Sequence, residues 1–111
     1  MPLTTSRRKE NKKSLGDLIS NRRKELNVTQ QELAAKCGVK YYTMISQIEL
    51  GYITCPEALW LPLGKVLYSD NPHRFLFQCE REVFPEKWRD KYTFNGKTLS
   101  VDEVLERLQR P

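Results

Sequence analysis

One start signal and two stop signals within residues 29–51 constrain this chain more than any other feature. Thr29-Gln30-Gln31-Glu32 has the form of a capping box. In that motif the Thr29 hydroxyl accepts from the third amide of a helix, and the Glu32 carboxylate reaches back to the Thr29 amide. Leu33, Ala34 and Cys37 then recur on one face, and Gly38 follows as the residue that most easily takes a positive φ just past a helix. A second apolar stripe, Tyr41, Ile45 and Ile48, runs on to Gly51. The spacing predicts two short helices folded across a tight glycine turn.

The flanking sequence predicts three more helices around this pair. Residues 1–13 read as a basic, unstructured arm, and a helix begins near Ser14 as N-cap, with Leu15, Leu18, Ile19, Arg22 and Leu26 on its inner face until Asn27 interrupts. Pro56 and Pro62 bracket a helical segment containing Leu59, Leu63, Val66 and Leu67. Its start is expected close to Leu61, because proline is tolerated only in a first turn. Asn71-Pro72 reads as the N-cap and first position of the next helix, with Phe75, Leu76 and Cys79 as its buried stripe. Five helices between residues 14 and 83 make a compact all-α domain. Residues 84–111 form a small C-terminal extension. There Asn95-Gly96 suits a type I′ turn of a β-hairpin between Tyr92 and Leu99. A second capping box, Ser100 and Glu103, opens a last helix carrying Val101, Val104, Leu105 and Leu108.

Charge is unevenly placed. Of 19 Lys/Arg and 14 Asp/Glu, residues 1–27 hold 8 and 3, a net of +5, leaving 11 and 11 for the remainder. An excess in Arg7, Arg8, Lys9, Lys12, Lys13, Arg22, Arg23 and Lys24 attracts phosphate, and is equally compatible with a solvated tail, an RNA-binding arm or a membrane surface. Cys37, Cys55 and Cys79 are widely separated, no CxxC pair exists and His73 is the sole histidine, so no metal site or cofactor is expected. No apolar run reaches the roughly 18 residues of a membrane span, and residues 1–11 lack the apolar stretch of a secretion signal. A cytoplasmic location is expected. With one histidine, no nucleophile elbow and no phosphate-binding glycine loop, no enzyme is expected either.

From Leu15 to about Leu67 the chain resembles the lambda-repressor and Cro-like helix-turn-helix family, also called the Xre family. The matching residues are Leu15-Gly16, Ile19, Arg23, Thr29 to Ala34, Gly38-Val39, Ile45 to Gly51, Pro56 and Leu67. The resemblance covers about half the chain and leaves residues 84–111 outside it. It implies a five-helix DNA-binding domain of a bacterial or phage transcription regulator, probing the major groove with its second short helix. By position it implies a structural ion pair between Arg23 and Glu49, and a DNA-phosphate contact at Gln30. It also implies a backbone-contacting loop from Gly51 to Thr54, where Tyr52 and Thr54 offer hydrogen bonds in place of a cation.

Between Gly38 and Glu49 this chain has one residue more than the family pattern. Counting forward from Gly38 selects Lys40, Tyr41 and Tyr42 as the leading residues. Counting back from Glu49 selects Tyr42, Thr43, Ser46 and Gln47, and this count is the guide for the helix itself, since Ile45 and Ile48 must face the core. Tyr42, Thr43, Ser46 and Gln47 are thus the expected base readers. Lys40, Tyr41, Tyr52, Thr54, Gln30 and the arm residues Arg7, Arg8 and Lys9 are the expected backbone contacts. The implied partner is double-stranded DNA, bound by a homodimer; outside the resemblance, the aromatic residues Trp88, Tyr92 and Phe94 of the extension suit its interface, and suit a plain extension of the core nearly as well. An alternative is an antitoxin or protein-interaction module of the same fold, whose C-terminal tail binds a partner protein.

Overall fold

The structure, a computed structural model, describes the backbone of residues 3–109 and the side chains of residues 13–109. It is mostly helical with one small hairpin: α1 (Leu3–Glu25), α2 (Gln30–Lys36), α3 (Thr43–Glu49), α4 (Glu57–Leu67), α5 (Pro72–Val83), α6 (Pro85–Tyr92), β1 (Thr93–Phe94), β2 (Lys97–Thr98) and α7 (Val101–Gln109). The first helix does not begin near Ser14. It starts at Leu3, and Ser14 lies inside it with its hydroxyl 3.4 Å from Glu82 Oε1. No glycine or proline interrupts residues 3–15, and Arg, Lys and Glu are good helix formers, so the backbone has no local reason to stop at the expected cap.

The first three helices end in the same way. Each donates two amides back into its last turn: Val28 to Arg23 O and Asn27 to Lys24 O in α1, Val39 to Ala34 O and Gly38 to Ala35 O in α2, Tyr52 to Gln47 O and Gly51 to Ile48 O in α3. These are Schellman ends, and they turn on a residue of positive φ, namely Asn27 (56°), Gly38 (73°) and Gly51 (79°). At its start α2 has both hydrogen bonds of the capping box, Glu32 N to Thr29 Oγ1 and Thr29 N to Glu32 Oε1, each 3.0 Å. Leu33 and Ala34 of α2 and Ile45 and Ile48 of α3 are buried together with Leu15 and Ile19 of α1. Where α1 crosses the end of α3 it carries Gly16. A methyl group there would overlap the carbonyl groups of Ile48 and Glu49, so the helices touch backbone to backbone.

Helix α4 begins at Glu57, a full turn before the expected Leu61, and Pro62 sits in its interior. Proline removes the hydrogen bond to the Ala58 carbonyl, but Leu59, Trp60, Leu63 and Leu67 are all buried around it, and this burial outweighs one lost bond. Trp60 Nε1 donates to Cys55 O at 3.0 Å, which fixes the preceding loop to the helix. Phe75 and Cys79 of α5 complete this first core. Burial pushes the Cys37 thiol up to about 11 and also raises that of Cys79, and none of the three cysteines is in a disulfide.

The extension folds onto α5 and builds a second, smaller core. Helix α6, absent from the expectations, contributes Trp88, Leu99 comes from just after β2, and α7 contributes Val101, Val104 and Leu105. Phe77 of α5 and Tyr92 pack against them. The hairpin forms with the expected turn, Asn95 at φ 54° and Gly96 at φ 78°, pairing Thr93 with Thr98 and Phe94 with Lys97. Expected as an interface residue, Trp88 is instead 1% exposed, with its indole N–H donating to Leu99 O at 2.9 Å. Tyr92 is half-buried against it, and of the three candidates only Phe94 (47% exposed) lies open. Among the described residues no helix is long and apolar enough to cross a membrane, and no cluster of histidine, cysteine or carboxylate side chains could hold a metal ion.

Candidate nucleic-acid interface

Helix α3 is two turns long, and its position follows from what it buries. Ile45, Ile48 and Glu49 point inward, which turns Thr43, Gln47 and Leu50 to the outside at positions i, i+4 and i+7. Tyr42, at the N-cap, and Met44 flank this line and are exposed, and Ser46 is half-buried. The connection 37–42 precedes the helix, with Tyr42 as its last residue. Tyr42, Thr43, Ser46 and Gln47 therefore share one open surface, whereas Lys40 and Tyr41 belong to the connection. Tyr41, expected in the buried stripe, is exposed there, with the Lys40 ammonium 5.3 Å from its ring centroid.

Behind this surface lies a nearly closed polar network. Arg23 Nε donates to Glu49 Oε2 at 2.7 Å and Arg23 Nη2 to Glu49 Oε1 at 3.0 Å, a two-point guanidinium–carboxylate pair. Arg23 Nη1 donates to Val28 O, and Gln30 Nε2 donates to Glu49 Oε1 at 2.9 Å. Only 11% of the Arg23 side chain and 6% of that of Glu49 are exposed. The hydrogen bond that Arg23 donates to Glu49 raises the Arg23 pKa above its ordinary value, against the opposing effect of burial. The network ties α1, the start of α2 and the end of α3 into one unit. Gln30 thus spends one amide N–H on Glu49 and keeps a second for an outside acceptor.

At the other end of α3, the Tyr52 amide is held by Gln47 O, and the exposed side chains of Tyr52 and Thr54 follow. Several cations of the basic N-terminal quarter serve inside the molecule. Lys13 pairs with Asp17 at 2.9 Å. Arg22 donates to Leu67 O at 2.7 Å and lies 5.0 Å over the Tyr68 ring, and Arg23 is committed to Glu49. The side chains of Arg7, Arg8 and Lys9 lie outside the described residues.

Two surface residues escaped the sequence reading, Met44 and Leu50, because apolar side chains are read first as core. A signal for Leu50 was present. Ile45 and Ile48 fix the inward direction, and two residues beyond Ile48 a helix has turned about 200° away from it. The exposed surface of α3 is neutral, carries hydrogen-bonding and apolar groups side by side, and is rigidly backed. The α6–α7 extension packs on α5 and leaves it uncovered. No family model, curated protein or solved structure matches the chain.

Proposed function

We propose that this protein is a sequence-specific DNA-binding regulator of transcription of the lambda-repressor and Cro-like class, acting in the cytoplasm as a homodimer and inserting α3 into the major groove. The observation that carries the reading is the open line Thr43–Gln47, flanked by Tyr42 and Ser46 and held from behind by Ile45, Ile48 and the Arg23–Glu49–Gln30 network. A helix this short reads only a few base pairs, so two copies on an inverted repeat supply length and affinity, with half-sites about 34 Å apart. Gln30, at the start of α2, is suited to a phosphate oxygen, and Lys40, Tyr52 and Thr54 flank the reading helix at either end. Repression follows if the operator overlaps a promoter.

Dimerisation falls to Phe94 and to Leu108 (66% exposed), the open apolar side chains of the extension, rather than to Trp88. The same two side chains favour a second reading, in which the extension holds a different protein, as an antitoxin does. Sedimentation distinguishes the two. A dimer that becomes monomeric in the Phe94→Ser, Leu108→Ser variant supports the first, and a wild-type monomer favours the second.

The test of DNA binding is selection of duplexes from a random pool, followed by titration with salt. The expected result is a palindromic motif whose affinity falls steeply with salt. Gln47→Ala should relax preference at one position per half-site, and Gln30→Ala should weaken every site alike. Equal loss on all sequences from both changes removes Gln47 as a base reader. A protein indifferent to duplex sequence ends the reading.

A further inference from the structure

The stretch from Tyr41 to Tyr52 contains a single charged residue, Glu49, and that carboxylate is buried and held by Arg23 and Gln30. Every exposed group on α3 is therefore neutral, in a chain of which 30% of residues are charged. Base edges in the major groove differ in what they demand. Guanine presents two acceptors, best met by the paired donors of Arg or by Lys, and the cytosine amino group is met by Asp or Glu. None of these is exposed on α3. Adenine presents an acceptor beside a donor, which one amide side chain matches with its N–H and C=O, and thymine presents a methyl group. Gln47 supplies the amide. Thr43, Met44 and Leu50 supply methyl, thioether and isobutyl surface along and beside the same line. From Thr43 to Leu50 the helix rises about 10 Å, the length of about three base pairs.

We infer that the half-site read by α3 is built of A·T pairs, with the Gln47 amide on adenine and thymine methyl groups seated against Thr43, Met44 and Leu50. The inference rests on the DNA-binding reading above and specifies its target. Lys40 lies before the helix with its ammonium over the Tyr41 ring, and its part is a phosphate contact that is blind to sequence.

The experiment uses the full chain and the duplex recovered by selection, resynthesised with 2′-deoxyuridine for thymidine at one position at a time. Uracil keeps every hydrogen bond and lacks only the methyl group. Each contacted thymine should then cost about fourfold in affinity, the value of one buried carbon. In Met44→Ala and Leu50→Ala, whose side chains are exposed so that the fold is retained, the matching uracil penalty should vanish. A 7-deaza-2′-deoxyadenosine duplex should weaken the wild type and leave Gln47→Ala unaffected, whereas Lys40→Ala should lower affinity equally on all these duplexes. Tight, selective binding to a G·C half-site, or to the selected duplex with no loss on either base analogue, overturns this inference and leaves the DNA-binding reading standing. Failure to bind any duplex overturns both.

Discussion

Glu49 accepts three hydrogen bonds from two side chains, Arg23 and Gln30, and does so almost out of contact with water. A carboxylate in that position is tolerable only while its partners are present. Removing Arg23 leaves a buried charge with one amide for company, which typically costs about 3–5 kcal/mol. Arg23→Met should therefore lower the unfolding free energy by about 3 kcal/mol in urea denaturation. The double change Arg23→Met, Glu49→Leu should cost much less than the two single changes added together. An Arg23→Met protein of unaltered stability but weaker DNA binding would place the guanidinium on phosphate instead. At this scale the sequence carried the pairing of Arg23 with Glu49 only through resemblance, since 26 residues separate them. The bond from Gln30 was not legible at all, because a glutamine at a helix start signals nothing about the far end of another helix. Leu50 was legible in principle, because the register of Ile45 and Ile48 turns it outward.

Among the elements, the sharpest contrast is between two glycines. Gly38 turns the end of α2 at φ 73° with nothing within 4 Å of where a side chain would begin, so Gly38→Ala costs backbone strain alone, about 1–2 kcal/mol. Gly16 has ordinary helical geometry but no space, because a methyl group would meet the carbonyls that end α3. Gly16→Ala should cost more than Gly38→Ala in the same denaturation experiment, and under the proposed function it should also reduce DNA affinity, since α3 must shift to make room. Gly38→Asn should recover much of the loss of Gly38→Ala, while no side chain rescues position 16. A Gly16→Ala protein as stable as the wild type would mean that α1 does not rest on α3.

The two capping boxes give the same elements a pH dependence. The amide of Thr29 holds the Glu32 carboxyl below its ordinary 4.5, and the amide of Ser100, with Lys97, does so for Glu103. A carboxylate with a depressed folded pKa stabilises above its unfolded value, and that contribution drains away as pH falls from about 4.5 through the folded value. Stability should accordingly decline on acidification below about pH 4.5. Glu32→Gln and Glu103→Gln, which keep the cap bond without titrating, should flatten the decline. An acid limb of unchanged slope in the double variant assigns it to other carboxylates. The boxes also explain which helices were legible: α2 and α7 announce themselves locally, and so does the hairpin through Asn95-Gly96. Helix α6 is eight residues long with Trp88 as its one buried side chain, too little for a periodic signal. The early start of α1 and the interior Pro62 of α4 were misread because cap and breaker rules describe local cost, and in α4 the deciding term is the burial of Leu59, Trp60, Leu63 and Leu67.

For the molecule as a whole, α5 is the decisive element because its opposite faces enter different cores. Phe75 and Cys79 belong to the core beneath α3, and Phe77 to the core of the extension. The sequence separated these parts at residue 83, and no pattern in it reports that one helix serves both. The protein's two tryptophans lie one in each core, Trp60 beside Phe84 and Trp88 beside Phe77, so each reports its own surroundings. A shared helix predicts a single cooperative transition. In Trp60→Phe the fluorescence of Trp88, and in Trp88→Phe that of Trp60, should follow the far-UV circular dichroism of the same variant through one urea midpoint. Trp88→Phe also removes the donor to Leu99 O and leaves a space, a cost of about 1–3 kcal/mol. If the cores are coupled, Trp60 must register that cost as an earlier midpoint although it lies in the other core. Should Trp60 report an unchanged midpoint while circular dichroism shows a separate early loss of helix, the extension unfolds independently of the body that carries α3. A partner that grips Phe94 and Leu108 could then pull the extension away without disturbing the exposed surface of α3. Coupled cores make the opposite demand: whatever binds the extension must leave its fold in place, because opening it would loosen the support of α3 as well.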